Sequence, residues 1–93
     1  MWLARIYVTL KPVVNDPQGL AIQSGLRHLG FSAVQSVRAG KFLEVLLDVP
    51  TQEEAARQAE AMCRQLLANP VIEDFRFDLE ERAGDPASTA SSR

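Results

Sequence analysis

The sequence predicts an α+β domain in which an antiparallel sheet carries two helices on one face, in the order β-α-β-β-α-β. Three observations lead there. Residues 2–11, 34–49 and 71–81 read as extended segments in which apolar and polar positions alternate. Residues 17–29 and 52–68 repeat apolar residues at helical spacing and carry start and stop signals. Gly40 interrupts the second extended segment and divides it into two strands.

Trp2, Ala4, Ile6, Val8 and Leu10 share one parity, so a strand over 2–11 sends them to one face; Leu3 and Tyr7 fall on the other. Asp16-Pro17 reads as a helix start, with Asp16 accepting from first-turn amides and Pro17 where no N–H is needed. Ile22, Leu26 and Leu29 then form one apolar stripe, and Gly30 supplies the left-handed stop with Phe31 as closing contact. A hairpin around Ala39-Gly40 is the preferred reading of 34–49; a single strand bent at Gly40 is the alternative. Thr51 and Glu54 match a capping box, and Ala55, Ala59, Met62 and Leu66 form the second helix's apolar row, widened by Ala56, Cys63 and Leu67. Asn69, tolerant of positive φ, and Pro70 stop that helix. The last strand turns Phe75, Phe77 and Leu79 inward and Asp74, Arg76, Asp78 and Glu80 outward. Residues 1–82 make the domain, and 83–93, small and polar, read as a disordered tail. This order is the ferredoxin-like, or split βαβ, arrangement. Tyr7, Phe42 and Leu46 fall on its uncovered sheet face, which in a small domain points to a partner.

With 93 residues, the chain buries roughly 60–65% of its unfolded surface, so a partner subunit adds useful burial. The formal charge of −2 disfavours non-specific binding to nucleic acid or an anionic membrane. Arg5 and Lys11 interrupt the first apolar stretch, so no signal peptide is expected there, and no run is long enough to span a bilayer. A cytoplasmic location is expected. With one cysteine and one histidine, neither an internal disulfide nor a zinc site of Cys and His can be built. His28 reads as a cation near a helix C-terminus and Cys63 as a small core residue. The carboxylates fall on helix starts and outward strand positions, with no converging set for a metal and no spacing that singles out an acid–base pair. No catalytic site, metal or cofactor is therefore expected on this chain.

Four segments carry a resemblance. Tyr7-Val8-Thr9-Leu10-Lys11 leads to Asp16-Pro17-Gln18-Gly19; Val34-Gln35-Ser36-Val37-Arg38-Ala39-Gly40-Lys41 follows, then Leu66-Leu67-Ala68-Asn69-Pro70-Val71-Ile72-Glu73-Asp74-Phe75. In order and spacing they resemble the PurS small-subunit family of phosphoribosylformylglycinamidine synthase, over residues 2–81. The resemblance implies a non-catalytic adaptor that joins a glutaminase subunit to a large ATP-dependent synthetase subunit and assists ammonia transfer. It also implies self-association as a dimer or larger assembly, with ATP and Mg on the large subunit. The positions carrying the match are Asp16, Gln18, Gly19, Arg38, Gly40, Lys41, Asn69 and Glu73. Asp16 and Asn69 also have full explanations as helix caps, and Gly40 as a turn; the expected partner-interface residues are Gln18, Gly19, Arg38, Gly40, Lys41, Asn69 and Glu73. Among them Arg38 and Lys41 would stand at a hairpin tip. The alternative is a homodimeric ligand-sensing domain of the ACT type, with its effector held near residues 15–19.

Overall fold

A computed structural model describes residues 1–83. The strand over Trp2–Leu10 (β1) lies in the middle of the sheet, pairing antiparallel with Gly40–Leu47 (β2) on one side and Glu73–Glu81 (β3) on the other. The register sets Ala4 between Val45 and Leu79, Ile6 between Leu43 and Phe77, and Val8 between Lys41 and Phe75. One face is thus apolar across all three strands. The helix Gln52–Met62 (α2) covers it, and its small residues Ala55 and Ala59, with Cys63 just beyond, bury fully beside Ala4, Ile6 and Val8.

The α+β class and the antiparallel sheet hold. The hairpin does not form, and residues 34–39 take no place in the sheet, which has three strands. That difference decides where the first helix goes. Three strands about 4.8 Å apart span roughly 10 Å, the width of one helix. With α2 seated there, a second helix has no sheet left to cover. Pro17–His28 (α1) accordingly makes no extensive contact with the sheet or α2. Its expected core stripe is open at Ile22, 43% exposed, and at Leu29, 74% exposed, while Leu26 is partly covered. The helix ends as predicted. Gly30, at φ 105°, follows the cap, its N–H donates to the Arg27 carbonyl, and the Phe31 N–H donates to the Leu26 carbonyl.

The second helix departs from its expected row after Met62. Cys63–Leu67 is a π turn, closed by the Ala68 N–H donating to the Cys63 carbonyl at 2.9 Å. The wider turn keeps Leu67 against the core and leaves Leu66 82% exposed. Thr51 caps α2 by accepting from the Glu54 N–H at 3.2 Å. The Glu54 carboxylate accepts from Arg57 and Gln58 and not from the Thr51 amide, so half of the capping box is made. No non-glycine residue among those described has positive φ, so Asn69 stops the helix by other means, set out below. The expected tail lies, apart from Ala83, outside the described residues.

Candidate partner-binding site

Four of the expected interface residues come together. Gln18, Gly40, Lys41 and Glu73 line a cavity of about 270 Å³ with Val8, Leu10, Asp16 and Ala39. The site is assembled from the start of α1, the start of β2 and the start of β3, segments that are distant in sequence. The glycine at position 40 is required by the register: it faces Thr9 across the ladder, and a Cβ there would collide with the carbonyl oxygen of Val8.

Asp16 sits at the bottom of this arrangement, 4% exposed. Its Oδ1 accepts from the Gly19 N–H at 2.9 Å, which is the predicted cap, and its Oδ2 accepts from the Ala39 N–H at 2.7 Å. The second bond left no mark in the sequence. The Gly19 amide, then the Ala39 amide and the Arg38 charge hold the Asp16 carboxyl below its ordinary value, against an opposing effect of burial. Gly19 itself permits the approach, since a Cβ would collide with the Val37 carbonyl.

Arg38 is not at a hairpin tip. Its Nη2 donates to the carbonyls of Leu10, Lys11 and Val14, at 3.2, 2.7 and 3.2 Å, tying down the connector between β1 and α1. Asn69 and Glu73 form a reciprocal turn into β3. The Asn69 N–H donates to Glu73 Oε1 at 2.6 Å, the Glu73 N–H donates back to the Asn69 carbonyl at 2.7 Å, and Asn69 Oδ1 accepts from the Val71 N–H. Lys41 is different: among the described residues its ammonium makes no ion pair, and it lies at the rim of the cavity. Of the expected interface residues, Arg38, Asn69 and Glu73 thus spend polar atoms within the chain, while Gln18 and Lys41 present theirs outward. The loop at 15–19, where an effector would sit in a ligand-sensing domain, is spanned by Asp16's own hydrogen bonds.

The sheet face opposite α2 is open at Phe42, 52% exposed, and closed at Leu3, 1% exposed. Phe42, Tyr7 and Arg76 stand in one cross-strand row, with the Tyr7 and Phe42 rings 5.1 Å apart and the Arg76 guanidinium 4.0 Å from the Tyr7 centroid. Tyr7, Phe42 and Leu46 fall there as the alternation predicts; the stacking of Arg76 on Tyr7 depends on register, which the sequence does not state. Beside this row Arg5 pairs with Glu80 and, at 3.8 Å, with Glu44, while Arg82 approaches Glu80 at 3.2 Å. Hydrogen bonding from Arg5 holds the Glu80 carboxyl below its ordinary value, as that from Gln58 does for Glu54.

These shifts give a pH dependence with a definite sign. Asp16, Glu54 and Glu80 all bind protons more weakly in the folded chain, so their contributions are complete above the unfolded carboxylate range, about 3.9 to 4.3. They are lost as pH falls through the lower folded values. Thermal melts from pH 7 downward should hold steady to about pH 5 and then fall, and Asp16→Asn should flatten part of that fall. Burial, followed by the nearby Glu60 charge, pushes the Cys63 thiol up. Alkylation of the native protein at pH 8 should therefore run at least about tenfold slower than that of the unfolded chain; equal rates would place the thiol at the surface.

Residues 3–81 match the model of the PurS family, described as phosphoribosylformylglycinamidine (FGAM) synthase. The chain is 50% identical, over 86% of its length and 80% of the relative's, to the phosphoribosylformylglycinamidine synthase subunit PurS of Synechocystis sp.. It superposes with a TM-score of 0.79 on Methanocaldococcus jannaschii PurS, described as one of the subunits of formylglycinamide ribonucleotide amidotransferase in the purine biosynthetic pathway. That match is 35% identical and covers 88% of this chain and 99% of the other. A chain in the structure of PurLQS from Thermotoga maritima aligns with a TM-score of 0.77 at 26% identity, covering 86% of this chain and 99% of that one.

Proposed function

Since the chain belongs to the PurS family of phosphoribosylformylglycinamidine synthase subunits, we propose that it is the small adaptor subunit of that enzyme, with no catalysis of its own. In this reading it joins a glutaminase subunit to an ATP-dependent synthetase subunit and assists the passage of ammonia between them. The synthetase converts formylglycinamide ribonucleotide to the amidine, with ATP and Mg on that large subunit. The observation that carries the reading is α1, a helix with Ile22 and the capping Leu29 left exposed on a single stripe. A chain with so small a core does not keep an uncovered apolar helix without something to place on it. A second copy covers the stripe, giving a dimer or tetramer, and the open sheet face, with its Tyr7, Phe42 and Arg76 row, has the aromatic-and-arginine character of an interface centre.

Ammonia released into water protonates and diffuses away, so its transfer requires packed contacts between subunits; an adaptor supplies those without acids or bases of its own. The test is reconstitution. Glutamine-dependent amidine formation by the two larger subunits is expected to fall at least about tenfold, a loss of about 1.4 kcal/mol, when the chain is left out. It should return on adding the chain, and ammonium salt in place of glutamine should relieve the requirement. Full glutamine-dependent turnover without the chain contradicts the reading.

A further inference from the structure

We propose that Asp16 is a positioning residue: its carboxylate, shared between the Gly19 and Ala39 amides, fixes the direction in which α1 leaves the sheet. The consequence for assembly rests on the adaptor reading above; the positioning itself does not.

Capping α1 needs only one carboxylate oxygen. The other reaches 23 residues along the chain to Ala39, the residue before β2. β2 in turn is held tightly at Gly40, whose Cα lies against the Val8 carbonyl of the central strand. Asp16 therefore joins the base of α1 to the sheet, where α1 has no extensive packing of its own; at the far end Arg27 donates to the Val34 carbonyl, within the loop that Asp16 itself fastens at Ala39. Gly19 keeps the joint close, because any side chain there would drive α1 away from Val37. Arg38 ties the connector from the opposite side through the Leu10, Lys11 and Val14 carbonyls.

The lever is long. Leu29 lies thirteen residues beyond Asp16, about 20 Å at 1.5 Å per residue. A swing of about 20° at the joint moves Leu29 by roughly 7 Å, more than the 4.0–4.5 Å over which apolar groups touch, and Ile22 by roughly 3 Å. Small freedom at Asp16 thus removes contacts at the far end without breaking any within the chain's core.

Asp16→Ser separates capping from tethering, since one hydroxyl caps the helix but cannot also reach Ala39; Asp16→Asn, of equal size, is the second variant should the first fold poorly. Spin labels at Ser24→Cys and Asp78→Cys, in a Cys63→Ala background and diluted into unlabelled chain, report the distance from α1 to the sheet. The expected result is a distance distribution at least about twofold wider in the variant, with helicity and melting temperature close to those of the parent. Self-association should weaken by about tenfold, as for a competent orientation occupied about one-tenth of the time. An unchanged distribution overturns the proposal. A widened distribution with undiminished self-association and unchanged binding to the larger subunits overturns the link between orientation and assembly. If the unmodified chain neither self-associates nor joins those subunits, the adaptor reading fails, and the label widths still decide the role of Asp16.

Discussion

Ile22→Lys with Leu29→Lys is expected to abolish self-association at micromolar concentration while leaving the fold of the single chain intact. The two positions, one in α1 and one its C-cap, are seven residues apart on one stripe, and both are exposed. Burying an aliphatic side chain of this size is worth about 1.5–3 kcal/mol, so losing two, each replaced by a charge, weakens association by at least about a hundredfold. Within the single chain neither residue belongs to the buried core, and the cost there stays within about 0.5 kcal/mol for each. Sedimentation equilibrium checks the first statement. Melting at several concentrations checks the second: the parent's transition should rise with concentration and the variant's should not. A variant that associates as the parent does would mean that the stripe is not the contact.

Gly40→Val is expected to be the most damaging single change to the fold. The new Cβ meets the Val8 carbonyl, and β1 cannot yield because it is bonded on both sides. The start of β2 must then unpair, taking with it the ladder bonds around Thr9 and the attachment of Ala39 to Asp16. A loss of about 3 kcal/mol is expected, which for a chain of this size lowers the melting temperature by on the order of 15 °C. Gly25 provides the opposite sign. A Cβ there meets nothing within 4 Å, so Gly25→Ala should raise helicity and stabilise the chain by up to about 1 kcal/mol. Equal effects at the two glycines would contradict the register of β2 on β1.

The parts of the fold that depend on neighbours in sequence were legible in it. Alternation gave β1, β2 and β3; Asp16-Pro17 and Gly30 gave both ends of α1; Thr51 gave the start of α2. What failed was the step from stripe to packing. Ile22, Leu26 and Leu29 read as a face against the sheet, because an apolar stripe states that something covers it and not what. The hairpin at Gly40 failed for a related reason. Residues 34–39 are held by the Asp16 carboxylate and by Arg27, whose side chain donates to the Val34 carbonyl, so they have no need of a strand partner. The π turn at Cys63 likewise has no local signature, and it alone separates Leu66 from the row to which its spacing assigns it.

For the candidate site the sequence names residues and no geometry. Gln18, Gly40, Lys41 and Glu73 line one cavity, a meeting that nothing in their spacing states. Asn69 and Arg38 turn out to hold the segments that build it. The long-range bond from Asp16 to Ala39 explains why a capping residue, already accounted for locally, belongs with the others.

The adaptor account stands most directly on whether this chain enters a common particle with the glutaminase and synthetase subunits. Sedimentation velocity on the three purified proteins, mixed in the presence of glutamine and ATP, is the measurement. The account predicts one faster boundary containing all three, which loses the glutaminase subunit when this chain is withheld. Three boundaries that move as the separate proteins do, with this chain remaining apart, would contradict it.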